Sequence, residues 1–182
     1  MNRTELIISF SSVSIALMAL FVSIWQSIET REHNKNSLKP YLTAAPLLNG
    51  IKGENGVYII NDGVGPAYIK SAHLTVEGQE FDLSRNIWPD VYKHIGLKKL
   101  CYSESWFKKG SALRAGEAMR LLAPSASPIA SDCPIEFIKL ISVKELVLQI
   151  EYQSVYEDDF IFDQSIGLDR QEVETFKKAL GI

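Results

Sequence analysis

The chain has 182 residues, 46% of them hydrophobic and 23% charged, with a formal net charge of −3. That composition excludes a wholly disordered chain, a collagen-like repeat and a polytopic membrane protein, and the acidic balance argues against a nucleic-acid partner. Two cysteines, Cys101 and Cys133, are too few for a disulfide scaffold and lack a Cys-x-x-Cys or Cys/His zinc spacing, so both read as ordinary thiols.

Leu6 to Trp25 is a run of 20 residues with no charge, Pro, Gly, Asn or Gln. As a helix it spans about 30 Å, the thickness of a bilayer's hydrocarbon core. It exceeds a signal-peptide core, and bulky Phe21, Ile24 and Trp25 stand where a small-residue cleavage site belongs. The reading is an uncleaved single span with Trp25 at the headgroup level. Arg3 precedes it and Arg31, Lys35 and Lys39 follow it. The positive-inside rule then predicts a soluble domain in the cytoplasm, anchored in a bacterial inner membrane. Two free thiols would agree with that reducing compartment. Within the span, Ser9, Ser12, Ala16, Ala19 and Ser23 recur at spacings of 3, 4, 3 and 4. Such a seam of small side chains lets helices approach closely in lipid and predicts a homo-oligomer or a partner helix. One helix is expected from about residue 4 to 37, its polar end forming a stalk before Pro40.

Residues 39–182 read as short strands with turn signals and a few helices, and residues 1–38 as span and stalk. Tyr41–Leu48 is a strand that Pro46 confines to a sheet edge, and Asn49-Gly50 with Glu54-Asn55-Gly56 connects it to Val57–Asn61. Ala67–Val76 and Glu80–Leu83 follow, then a helix within 85–97, a strand near Ser111–Leu113 and another over Ala118–Ala123. Pro124–Pro134 reads as a loop, with Asp132 capping a helix over Ile135–Val143. Leu146, Leu148, Ile150 and Tyr152 alternate with Gln149 and Glu151, the pattern of a half-buried strand. Phe160–Phe162 returns from an acidic tip, and a last helix carries Val173, Phe176 and Leu180 on one stripe. Strands without βαβ alternation predict a mainly β domain with α insertions. The expected architecture is an immunoglobulin-like antiparallel β-sandwich, with a partly open β-barrel as the alternative.

Asn61-Asp62-Gly63-Val64-Gly65-Pro66-Ala67 is the most distinctive segment. It lacks the third glycine of a dinucleotide loop and the Gly-Lys-Ser/Thr of a P-loop, and Pro66 removes an N–H donor. Gly63, Gly65 and Pro66 therefore read as a structural turn, with glycine supplying positive φ. Together with the span, Thr30-Arg31-Glu32-His33-Asn34, Lys39-Pro40-Tyr41-Leu42 and the late Ile150-x-Tyr152-x-Ser154-x-Tyr156, this segment resembles a widespread group of small bacterial proteins with one N-terminal span and a C-terminal β-sandwich domain. The resemblance implies that architecture and assigns no activity to any residue.

Other constellations are weaker. Glu157, Asp158, Asp159 and Asp163 lack the spacing of a calcium loop and read as a charged hairpin tip. His73 and His94 stand alone. Lys98, Lys99, Lys108 and Lys109 surround Tyr102, Trp106 and Phe107, a stretch able to contact an anion or a partner. With no nucleophile or acid/base constellation and no metal pattern, neither catalysis nor a cofactor is expected. The expected function is a membrane-anchored interaction module that assembles with itself or a partner. The alternative is a membrane effector gated by a small-molecule ligand, as in bacterial antiviral or stress systems.

Overall fold

The computed structural model describes residues 3–47, 55–98, 101–125 and 133–180. The chain divides into two units, residues 1–37 and 38–182. The first is a single helix, α1 (Arg3–Ser37), long and apolar enough to cross a membrane, and none of its residues is buried.

The second unit is mainly β. Among the described residues its elements are β1 (Leu42–Leu47), β2 (Gly56–Asn61), β3 (Ala67–Val76), β4 (Gln79–Asp82), α2 (Trp88–His94), β5 (Tyr102–Glu104), β6 (Ala112–Leu113), β7 (Ala118–Pro124), α3 (Cys133–Ile141), β8 (Leu146–Gln153), β9 (Asp159–Ser165) and α4 (Arg170–Leu180). They form two antiparallel sheets, one ordered β1-β2-β7-β5 and the other β4-β3-β8-β9, with β6 also pairing on β3. Chain-adjacent β2 and β3 take central places in different sheets, and so do β7 and β8, which pair with them. The chain passes repeatedly between the two sheets, at β2–β3, β4–β5, β5–β6, β6–β7 and β7–β8, so the sheets are interlocked.

The hydrophobic pattern explains the layers. Leu146, Leu148, Ile150 and Tyr152 are buried, whereas Gln149 and Glu151 between them are exposed. On β3 the buried set is Ala67, Ile69, Ala72, Leu74 and Val76, and a register shift between Ile69 and Ser71 reconciles its uneven spacing with the alternation of β8. Glu77 and Gly78 both have positive φ and close the two-residue β3–β4 hairpin, as its twist requires. β1 lies at a sheet edge, as Pro46 demands.

Helix α2 begins against the core through Trp88, with Pro89 in its first turn, where a missing N–H is harmless. Trp88 stacks on Tyr92, Tyr92 on Tyr102, and Tyr102 leans on Phe137 of α3, so the inserted helices share one aromatic cluster with β5. Helix α4 starts with a reciprocal cap: Glu172 N–H donates to Asp169 Oδ1 at 2.7 Å and Asp169 N–H to Glu172 Oε2 at 2.8 Å. Val173 is buried on its inner stripe, while the side chains of Phe176 and Leu180 lie outside the described residues, as do Asp132, Asn49-Gly50, Glu54 and most of the Pro124–Pro134 loop.

One expectation needs correction here, and strand β5 (Tyr102–Glu104) was not among the expected elements. Cys101 and Cys133, expected as ordinary thiols, form a disulfide with Cα atoms 4.9 Å apart. The start of α3 folds back onto the start of β5, so residues 32 positions apart in sequence become neighbours. Free thiols thus cease to be an argument for a reducing compartment.

Candidate functional site

The segment from Asn61 to Ala67 is the structural keystone of the domain. Asn61 is completely buried at the end of β2. Its Nδ2 donates to the Gly65 carbonyl at 2.8 Å and to the Leu113 carbonyl of β6 at 2.9 Å. Its Oδ1 accepts from the Gly63 N–H at 3.1 Å and from the Tyr41 N–H at 3.2 Å. All four hydrogen-bonding positions of the amide are used. Its backbone is held as well, N–H to the Glu117 carbonyl and carbonyl from the Gly116 N–H. One side chain thus joins the entering chain, the glycine loop and the β6–β7 turn.

Gly63 and Gly65 are indispensable for a reason other than the expected one. Neither has positive φ. A Cβ on Gly63 would collide with the Tyr41 nitrogen and lie 2.6 Å from the Lys39 oxygen; one on Gly65 would collide with the Leu38 oxygen. The loop is a seat on which Leu38–Tyr41, the chain emerging from α1, lies in backbone contact. Val64 N–H donates to the Lys39 carbonyl and Asp62 N–H to the Tyr41 carbonyl. Pro66, half-buried, leads into β3. Lys39 Nζ sits 5.4 Å from the centre of the Phe160 ring. The immobilised stretch therefore starts one residue after α1 ends. Beside it, Tyr41 and Val64 present apolar side chains to solvent.

In the α1 seam, Ser12 and Ser23 donate their hydroxyls to the carbonyls of Ile8 and Ala19 within their own helix. Off the seam, Ser11 and Ser14 do the same toward Ile7 and Phe10. These hydroxyls need no partner helix, so close approach at Ala16 and Ala19 is what the seam offers. Ser9 lies on the same face at the start of the stripe.

The basic-aromatic stretch is dispersed. Lys99 lies outside the described residues, Lys98 uses its N–H to bond Glu136 Oε2 at 3.2 Å, and Lys108 and Lys109 sit on the exposed turn before β6. Tyr102 and Phe107 are consumed by the core, leaving Trp106 as the exposed ring. His73 pairs with Glu80 across the β3–β4 hairpin at 2.8 Å, and His94 meets the Phe81 ring edge-on. At the acidic tip, Ser154 Oγ accepts the N–H groups of Tyr156 and Asp158, while Asp159 bonds Lys70 at 3.0 Å, which holds its carboxyl below the usual range.

Open grooves lie among the described residues, of which two bear on the charged groups. One, of about 680 Å³, runs between β4 and α2 past Phe81, Asp82, Arg85 and His94. Asp82 there caps the Ser84 N–H at 2.8 Å, and that bond lowers its pKa. The other, of about 670 Å³, lies between the ends of α3 and α4. Of its cations, Lys139 and Lys177 are neutralised by Glu136 and Glu174 at 2.9 and 2.8 Å. Glu136 is buried, and its bond from Lys139, with the Lys98 N–H behind it, holds its carboxyl below the usual range. No family model, curated protein or solved structure matches the chain.

Proposed function

We propose that the protein is a membrane-anchored interaction module, not a catalyst. The observation that carries this reading is α1: 35 residues, none buried, long and apolar enough to cross a membrane, with the uncharged run Leu6–Trp25 inside it. In water that apolar surface would be strongly unfavourable; a bilayer or partner helices cover it. We read the two interlocked sheets as an immunoglobulin-like sandwich, which offers edges and loops for docking. The polar groups that a catalyst would draw on, Asn61, Glu136, His73 and Ser154, are each engaged in bonds that hold the fold.

The second reading, an effector whose spans respond to ligand on the domain, is favoured by the backbone seat that fixes Leu38–Tyr41 on the Asn61–Ala67 loop. Both readings make lipid, other copies or a partner protein the contacts of α1, and the second adds a small ligand.

Crosslinking of the full chain in membranes tests assembly. Ala16→Ile with Ala19→Ile forces approaching backbones apart, whereas Ser11→Ile with Ser14→Ile adds bulk on the far side of the helix. Loss of crosslinked species in the first pair alone supports span-mediated assembly. Equal crosslinking in both pairs reduces α1 to an anchor.

A further inference from the structure

The Cys101–Cys133 bridge bears on where the soluble unit stands. From it we infer that residues 38–182 face the oxidising side of the membrane, with the N-terminus in the cytoplasm, and that the bridge is installed there as a permanent staple. The inference rests on the membrane reading above and assigns a side that the charges of the flanks would not.

Three observations carry it. First, both cysteines are deep in the core, 0% and 5% exposed. Redox-sensing cysteines of a reducing cytosol are partly exposed thiolates in electropositive surroundings, because exchange needs access and ionisation. Here Cys101 directly precedes Tyr102, which stacks with Tyr92 and packs toward Phe137, and Cys133 opens α3. Once folded, it is shielded from soluble thiols. A buried, structural disulfide belongs to compartments where such bonds persist.

Second, the backbone is arranged for the bond. The Cα separation of 4.9 Å lies inside the range that a disulfide spans without moving the chain. The Cys101 carbonyl accepts the Ser125 N–H at 2.7 Å, so the strand end carrying one sulfur is itself fixed.

Third, the opposing signal is weak. Three basic residues after the span against one before it is a modest bias. The positive-inside rule governs short loops, while domains of this length translocate largely regardless of charge.

The chemistry balances with one co-reactant, an external protein or small-molecule disulfide of the oxidising compartment. The thiolate of one cysteine attacks it, giving a mixed disulfide and releasing one external thiol. The second cysteine, as thiolate, displaces the other external thiol. Two protein thiols and one external disulfide become the internal bridge and two external thiols, before α3 closes over the site.

The test uses the full chain in a Gram-negative host. Cells are quenched in acid, denatured and treated with a polymer-linked maleimide, with and without prior reduction. The expected result is no mass shift without reductant and a two-thiol shift after it; Cys101→Ser and Cys133→Ser each show one reactive thiol in both conditions. In parallel, alkaline phosphatase fused after Ile182 should be active, an outcome set by the span and independent of whether the cysteine variants fold. Two reactive thiols in unreduced cells, or activity only from a cytoplasmic reporter, would overturn the inference. Recovery of the chain in the soluble fraction would instead defeat the membrane reading, which separates the two failures.

Discussion

Asn61→Asp is the smallest change that tests the keystone. It keeps the shape and the acceptor Oδ1 but replaces the Nδ2 donors by a second oxygen. The carbonyls of Gly65 and Leu113, now 2.8 and 2.9 Å from a donor, would face an acceptor in a site with no solvent exposure. Each orphaned buried acceptor costs about 1–3 kcal/mol, and the repulsion of a carboxylate adds to it, so a loss of about 4 kcal/mol is expected. For a domain with an ordinary stability of about 5–15 kcal/mol that is a large share. The adjacent Asp62→Asn makes the reverse exchange on the surface, where the Asp62 side chain accepts from the Thr43 hydroxyl, and should cost under about 1 kcal/mol. Urea unfolding of the full chain in detergent micelles, followed by tryptophan fluorescence of the buried Trp88, measures both. If Asn61→Asp shifts stability no more than Asp62→Asn, the seat is not held by that amide.

Three further outcomes follow from the same geometry. Gly65→Ala drives a methyl into the Leu38 carbonyl and should cost about 3 kcal/mol, with faster proteolysis near residues 38–41; Gly78→Ala, which meets nothing within 4 Å but has φ of +79°, should cost about 1 kcal/mol. Ile150→Asp places a charge at a fully buried position and should cost about 4 kcal/mol or more, while Glu151→Lys on the exposed face stays within about 1 kcal/mol; equal effects in thermal melts would refute the β8 register. Glu136 has a native pKa below its unfolded value, so its contribution is present at neutral pH and lost as pH falls from the ordinary carboxylate range through that depressed native value; Glu136→Gln should flatten that part of the urea midpoint's acid dependence.

What was legible in the sequence follows physical rules. Strands β3 and β8 could be placed to the residue because they are long and bounded by turn residues, and β8 also alternates cleanly. Helix α1 was legible because a contiguous uncharged run of 20 residues, long and apolar enough to cross a membrane, is a pattern carried by neighbouring positions alone. Strand β5 has three residues, too few to display a period. The Asn61–Ala67 motif stood out by composition, but its role depends on Leu38–Tyr41 and Leu113, which only the fold brings near. Local turn chemistry suggested positive φ for Gly63 and Gly65; the actual constraint is another strand of backbone lying on them. The disulfide was illegible for the same reason, since nothing local joins positions 101 and 133.

Tyr102 extends this logic to a group whose chemistry the fold does not use. Its ring stacks on Tyr92 at 4.6 Å and packs toward Phe137 at 6.5 Å, contacts that a phenylalanine would keep. Its hydroxyl is buried and has no hydrogen-bond partner among the described residues. Burial, and then the Glu136 carboxylate, push the phenol far above its ordinary value, so it stays neutral at any working pH. A buried hydroxyl that makes no bond has lost its hydration without replacement, a loss of about 1–3 kcal/mol. Tyr102→Phe removes that loss and leaves only a small void, so the variant should be as stable as wild type or more stable by about 1 kcal/mol. Urea midpoints of the full chain, compared with Tyr102→Leu as a probe of the stacking, decide the matter. Tyr102→Leu should be destabilised by about 2 kcal/mol through lost ring contacts. Destabilisation of Tyr102→Phe by more than about 1 kcal/mol would show that the hydroxyl is bonded after all, and that the cluster beside the disulfide is held by polar contacts as well as by packing.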